Sequence, residues 1–478
     1  MSLAASALLD TVLAAGPDAA AASAPAASDS ARDAGLPTPS VDRVIAAIDA
    51  LVSAQVDAIL HHPRLRRLEG AWRGVAWLLQ GIDANAPVRV RLLNLPWSEL
   101  CRDLERAAEF DQSQLFRKVY EEEFGSPGGE PFGLLVVDHE VRHRPGPKAP
   151  TDDIGALADL ASIAAAAFVP TIVAASPALL QVDGFADLAH AGDLTDPFRA
   201  SEYVRWRGLS GREDMRFIGV VLPRLLARAP WADDPARPDG FCYAEYAPGA
   251  DERVWMSAGF GFAAAAARAF ANHSWPADVR GSETDRLGGG LLTDLPDEPF
   301  ASDPHWFRPS LEIALTDRQE RALADAALMP LSVLPFGQQA VFASVRSLQT
   351  PQRYAGPNAT AATANARLSS QINAMLCVSR FAHCIKLRGR DLVGSFRTAE
   401  EIERSLHDWL QAYVNANTAS TGDSRARHPL VAADISVREQ PGRPGVFGCT
   451  ALLQPHFQLD DVSATFRLVT DIAAPGMR

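Results

Sequence analysis

Residues 132–175 read FGLLVVDHEVRHRPGPKAPTDDIGALADLASIAAAAFVPTIVAA, and the fold class turns on how this stretch divides. Its first run, Phe132 to Val137, is short, apolar and β-branched at its end, so Gly133–Val137 reads as a buried strand. Asp152-Asp153 marks a helix start, where carboxylates suit the positive end of the dipole, and the helix runs over Ile154–Phe168. Thr171–Ala175 is a second buried strand. Strand, helix and strand in that order predict a parallel pair joined by a crossover helix.

The same stretch contains His139-Glu140-Val141-Arg142-His143, which fits the zinc-protease pattern H-E-x-x-H. That chemistry needs a helix, because only there do histidines at i and i+4 share a face and ligate one metal. The preceding strand and the prolines at 145, 147 and 150 argue against one. In extended chain His139 and His143 stand roughly 13 Å apart, too far to share an ion. No third ligand follows close by. The segment reads as a strand end, and a zinc-dependent hydrolase is kept only as an alternative.

The chain has 478 residues, 47% of them hydrophobic and 22% charged, with a net charge of −13. This is the make-up of a soluble protein large enough for two or more domains. A basic stripe for nucleic acid is absent. Arg64-Leu65-Arg66-Arg67 reads as a solvated helix face, with a protein contact as the other reading. Five scattered cysteines without a C-x-x-C point to a reducing compartment, and Cys377 and Cys384 fall two turns apart on one helix face. No apolar run is long enough to cross a membrane. The opening MSLAASALLDTVLAAG imitates a signal peptide, but no Lys or Arg precedes Arg32 and Asp10 interrupts the apolar run.

Residues 1–39 read as a flexible tail. A short amphipathic helix with Leu8, Leu9, Val12 and Leu13 on one side is carried on an Ala/Ser/Pro-rich linker. It is either a docking peptide or a frayed terminus. Residues 40–95 form a helical segment: Val41, Val44, Ile45, Ile48, Val52, Val56 and Ile59 repeat at helical spacing. After Pro63, Leu65, Leu68, Trp72, Val75 and Leu79 are expected to face inward. His61-His62 reads as a helix C-terminus.

Residues 96–310 form a middle α/β domain, preceded by a strand at Val88–Leu93 and containing further strand and helix at Phe217–Val221 and Met256–Ala271. Residues 311–478 form a last domain with strands at Leu311–Leu315 and Val333–Ser344 and helices at Thr360–Arg388 and Thr398–Asn415. Three strand-like runs close it: Leu430–Glu439, Val446–Gln454 and Val462–Ile472. The fold class is thus mixed α/β, ending in a β meander available for strand exchange with a neighbour. The glycine-rich 280–290 lacks the G-K-[ST] of a phosphate loop, and no G-x-S-x-G elbow occurs. Neither a catalytic residue nor a cofactor is predicted.

Several long segments resemble one family, the large sheath subunit of the type VI secretion system (TssC or VipB). They are AAIDALVSAQVDAILHHPRLRRLEGAWRGVAWLL (46–79), DDIGALADLASIAAAAFVPTIVAASPALL (152–180) and FRASEYVRWRGLSGREDMRFIGVVLPRLLARAPW (198–231). The strongest are ATANARLSSQINAMLCVSRFAHCIKLRGRDLVGSF (362–396) and LLQPHFQLDDVSATFRLV (452–469). The resemblance implies a contractile tail sheath-like fold. It also implies a role in the cytoplasm of a Gram-negative bacterium, pairing with a small sheath subunit (TssB or VipA). Copies of the pair stack around a tube of Hcp rings on a baseplate, and the ATPase ClpV recycles the contracted sheath. It implies no nucleic acid, no membrane insertion and no covalent chemistry. On that reading Leu8, Leu9, Val12 and Leu13 resemble the ClpV-recognition helix, and Glu400, Glu401, Glu403 and Arg404 start a helix that faces the tube. Departures are the wide spacing within 280–290, the HEVRH segment and the Ala-rich linker. A self-assembling phage-like sheath is the other alternative.

Overall fold

The computed structural model describes residues 38–473 apart from 148, 235, 237–239, 283–286, 301–302, 335–337, 353, 356–361, 364–365, 368, 394–397, 418–421, 441–445 and 457–465. Two compact units result, residues 1–56 with 233–243 and residues 57–232 with 244–478. Helix α1 (Thr38–Leu60) supplies most of the described part of the first, and Val41, Val44, Ile45 and Ile48 on it are exposed.

In the larger unit, α2 (Pro63–Gln80) opens with His62 as its N-cap, whose ring accepts the Arg64 N–H at 3.3 Å, and Pro63 at its first position. His62 therefore starts a helix where a helix end was expected. The inward face of α2 also differs from expectation. Gly70, Gly74 and Leu78 are buried, while Leu68, Trp72 and Leu79 are 55%, 60% and 48% exposed. The reason is close approach. A Cβ on Gly70 would lie 2.1 Å from the Trp255 carbonyl oxygen, and one on Gly74 2.4 Å from the Phe260 ring. Two glycines four apart form a groove that admits another backbone, so the bulky apolar residues turn outward.

Next come α3 (Trp97–Arg106), a π-helical turn at Arg117–Gly125, and β1 (Leu135–Val141). Then α4 (Asp153–Ala166) crosses over to β2 (Thr171–Ala175), as the spacing predicts. Strand β3 (Ile218–Leu222), α5 (Ala258–His273) and β4 (Met329–Pro330) complete a four-stranded parallel sheet in the order β1-β2-β3-β4. Both faces of β2 and β3 are buried, which is why these runs are continuously apolar instead of alternating. Val173, Ala175, Val220 and Leu222 join the core with α4, whereas Ile172, Ala174 and Val221 join the core with α5. The expected strands at Leu311–Leu315 and Val333–Ser344 shrink to a bridge at Leu311 and to two-residue rungs at Ser332–Val333 and Ala340–Val341. The expected strand at Val88–Leu93 is not formed: the segment has no assigned secondary structure and joins no sheet among the described residues.

Helix α6 (Ile372–Val393) sits between the parallel sheet and the last sheet. Ile372 and Leu376 enter one core, and Met375, Val378, Phe381 and Ile385 the other. Phe381 stacks on Trp275 at 4.1 Å and meets Trp409 and Tyr413 edge-on. Buried His383 on this helix donates to the Ala167 carbonyl at the end of α4 (3.0 Å), and burial pushes its pKa down to about 4, so the ring is neutral. Cys377 is likewise buried, with its thiol pushed up to about 12. Helix α7 (Ala399–Gln411) then leads to β5 (Leu430–Glu439), β6 (Val446–Pro455) and β7 (Phe466–Ala473), an antiparallel sheet in that order.

The Gly70 contact gives a first test. Gly70→Ala must push α2 off the Trp255 backbone, and we expect a loss of about 1–3 kcal/mol, read by thermal or denaturant unfolding. Ala76→Ser, on the exposed side of the same helix, should be near neutral.

Candidate assembly interface

The last sheet has one packed face and one polar face. Along β5 and β6 the residues facing α6 and α7 are apolar and buried: Ile435 and Val437 lie opposite Ala451 and Cys449. Asp434, Ser436, Thr450 and Gln454 occupy the other face, with Leu452 exposed there. Strand β7 is an edge with no further strand beside it among the described residues. Beyond strand β5 the described residues offer a single bridge, Val414 to Leu430, and side chains of α7 take its Ala433 carbonyl and Val437 N–H. An open edge such as that of β7 presents unpaired N–H and C=O groups, the chemistry by which a strand from another chain adds on.

Helix α7 places the four charged residues picked from the sequence in two ways. Glu400, Glu401 and Arg404 lie on its exposed side. Glu401 is also engaged in a capping box: its carboxylate accepts the Thr398 N–H at 3.1 Å, and the Thr398 hydroxyl accepts the Glu401 N–H at 3.3 Å. Glu403 turns inward and accepts the Val437 N–H of β5 at 2.8 Å, tying the helix to the sheet. Leu8, Leu9, Val12 and Leu13 lie outside the described residues.

The HEVRH segment is strand and not helix. A bulge at Asp138–His139 interrupts the β1–β2 pairing. His139 stacks on Trp97 at 4.2 Å and contacts the Asp153 carboxylate, which also accepts from the Trp97 indole at 2.8 Å, Thr151 and the Arg142 N–H. Burial alone would raise the Asp153 carboxyl, but the hydrogen bonds from His139, Trp97 and Thr151 outweigh it and hold the pKa low. Glu140 is taken by Arg224, which grips it through Nε (2.5 Å) and Nη2 (2.8 Å) and reaches Glu312 at 3.3 Å. His143 is buried against Tyr203, rings stacked at 4.1 Å. His139 and Glu140 thus have hydrogen-bonding partners, while His143 is held by ring stacking with neither nitrogen hydrogen-bonded among the described residues, and the segment is a strand without the i, i+4 helical geometry of a zinc site.

A second buried ion cluster escaped the sequence reading. Arg228, 8% exposed in its side chain, holds Glu69 of α2 at 2.6 and 3.3 Å and Glu245 at 2.5 and 3.3 Å. His61 adds a contact to Glu245 at 3.1 Å, Arg73 one to Glu69 at 2.7 Å, and the Trp231 N–H donates to Glu245 at 2.9 Å. Burial would raise both carboxyls. On Glu69 the bonds from Arg228 and Arg73 prevail, and on Glu245 those from Arg228 and the Trp231 N–H, so both stay below the ordinary range. The signal lay in Glu69-Gly70-x-x-Arg73-Gly74, where the charged residues flank the glycines that admit the neighbouring backbone.

Comparison with known proteins comes down on one side. Residues 42–349 match the EvpB/VC_A0108 tail sheath N-terminal domain and residues 361–472 the tail sheath gpW/gp25-like domain. The chain is 36% identical over 440 residues to the type VI secretion system sheath protein TssC1 of Pseudomonas aeruginosa, covering 91% of this chain and 86% of that one. A sheath tail protein from Desulfitobacterium hafniense aligns over 67% of this chain and 63% of its own at 11% identity and a TM-score of 0.29.

Removing the cation tests the buried cluster. Arg228→Leu removes the cation shared by the two carboxylates, leaving Glu69 to Arg73 and buried Glu245 to His61 and the Trp231 N–H, and the expected cost at pH 7 is about 3 kcal/mol by thermal or chemical unfolding. Both carboxyls titrate below the ordinary 4.5 when folded. The cluster's contribution is therefore complete above that value and is lost as pH falls through the lower, folded values. The gap between wild type and Arg228→Leu should narrow when the melts are repeated toward pH 3; an unchanged gap would show that the charges are not its source.

Proposed function

This chain belongs to the EvpB/VC_A0108 (VipB) tail sheath family, and from that premise we propose that it pairs with a small sheath subunit of the TssB or VipA kind, the pairs stacking helically in the cytoplasm around a tube of Hcp rings. It is a structural subunit of the contractile sheath of a type VI secretion system, assembling with copies of itself and a partner sheath subunit, and not an enzyme. The observation that carries the reading is the match through both domains in order, at 36% identity over nearly the whole chain.

The open edge of the C-terminal sheet at β7 supports strand exchange between neighbours, in which backbone hydrogen bonds link subunits while the connecting segments bend. For the tube we propose the exposed side of α7, with Glu400, Glu401 and Arg404 as the contact. Glu403 is occupied by β5 and supports that face from behind. For recycling we propose that Leu8, Leu9, Val12 and Leu13 fill an apolar groove of ClpV, presented on the linker 16–39. The contracting sheath would stand on a baseplate at one end.

Co-expression with the partner sheath subunit, followed by negative-stain electron microscopy, should give long hollow tubules. A soluble monomer indifferent to the partner would refute the pairing. Glu400→Lys with Arg404→Glu is expected to leave pairing intact and to lower co-assembly with Hcp. This pair avoids Glu401, whose loss would also remove a helix cap. In the tail, Leu9→Asp with Leu13→Asp should abolish ClpV binding in a pull-down without affecting tubule formation; retained binding would sink the groove assignment.

A further inference from the structure

One stretch of the larger unit belongs to no helix and no sheet. From Arg89 through Leu95 the chain lies in no helix, strand or turn, and no backbone–backbone hydrogen bond reaches its N–H or C=O groups among the described residues. The stretch is nevertheless held in place by its side chains. Arg89 pairs with Glu130, Arg91 pairs with Glu123 and Glu130, and the Arg91 guanidinium lies 5.6 Å from the centre of the Phe132 ring. Its remaining large side chains are apolar and open to solvent: Val90 is 39% exposed, Leu92 60%, Leu93 56% and Leu95 37%.

We propose that residues 89–95 are the docking strand for the partner sheath subunit, which adds an extended, mainly apolar segment alongside them. The inference rests on the pairing proposed above and deepens it by naming the surface. Three considerations select this occupant. Seven successive residues with unpaired backbone call for another strand, because a helix or a lipid surface cannot satisfy a ladder.

A second copy of the same stretch does not fit. Antiparallel self-pairing needs a twofold axis, which a sheath that pushes in one direction does not contain. Parallel self-pairing would bring identical segments within about 4.8 Å and set Arg89 and Arg91 beside their own copies. Finally, an unpaired edge with four exposed apolar side chains is an aggregation hazard, so it must be covered in the building block, before subunits enter the tube. Because Arg89 and Arg91 already have their acids, the incoming strand has no need of charge opposite them.

The test is hydrogen–deuterium exchange on the co-expressed complex of this chain and its partner before polymerisation. Amides 90–95 are expected to be slowed by at least about a hundredfold relative to unstructured peptide. In parallel, Leu92→Ser with Leu93→Ser, side chains that the chain itself leaves exposed, should cut co-purification of the partner by about tenfold or more, while exposed Val204→Ser should not. A complex that forms while these amides exchange freely, or that survives the double substitution at wild-type yield, overturns the docking strand and leaves the pairing standing. Protection that arises only on tubule formation would make a neighbouring copy the occupant, and the proposal would be wrong. If no complex forms, the pairing falls and the docking strand with it.

Discussion

Burial of α6 is the constraint on which the rest of the larger unit depends. From Ser370 to Ser379 every residue is buried, and Phe381, Ala382, His383 and Ile385 continue the pattern. The first half of this helix has no solvent face, unlike its far end where Arg388 and Asp391 are exposed, and it can exist only if elements pack around it. Here the parallel sheet and α5 receive Ile372 and Leu376, while α4, α7 and the meander close over Met375, Phe381 and Ile385. His383 belongs to the same logic. Its ring is kept neutral by burial and spends its N–H on the Ala167 carbonyl, so it ties the helix to the parallel-sheet domain without placing a charge in the core.

Around that pillar the charged residues sit where the chain must join distant segments. Arg224 follows Leu222-Pro223 at the end of β3 and binds Glu140, 84 residues away, and Glu312. Arg228 reaches back 159 residues to Glu69. Buried pairs of this kind add little net stability over apolar packing, but breaking one is costly, so they act as registers: only one arrangement of the segments leaves no charge unpaired. In a subunit that must carry mechanical load this favours a body that moves as a whole over one that deforms.

What the sequence reveals follows from the range of the interactions involved. Asp153–Ala166, Thr171–Ala175, Ile218–Leu222, Leu430–Glu439 and Val446–Pro455 are all legible, because apolar periodicity and helix-start carboxylates are local signals. The dismissal of HEVRH as a helix also rests on local signals, the β-branched run before it and the prolines after it. Long-range facts are not legible in this way. That Leu68, Trp72 and Leu79 face outward depends on what Gly70 and Gly74 approach, 185 or more residues later in the chain. Arg224 and Arg228 look like two more arginines in a basic stretch until their acids are seen. Within the candidate interface, the sheet strands could be read from pattern, but the inward turn of Glu403 toward Val437 could not, since it depends on how α7 lies across β5.

The division between what is closed and what is left open bears on how such a subunit can be part of a contracting machine. Inside the larger unit β2 and β3 have strands of the same chain on both sides. At its margins, the outer edge of β7 and the run Arg89–Leu95 offer backbone without a strand partner among the described residues. A backbone ladder suits a joint that must survive rearrangement. Its bonds depend on strand alignment and not on the exact angle between the bodies it connects, so two rigid subunits can rotate about a shared strand without breaking it. Side-chain interfaces behave differently: they are close-packed and bistable, and they exchange one set of contacts for another. A sheath subunit needs both kinds, permanent links that carry tension and replaceable contacts whose exchange releases energy. Here the candidates for the two are spatially distinct, with strand edges for the first and the charged outer side of α7 for the second.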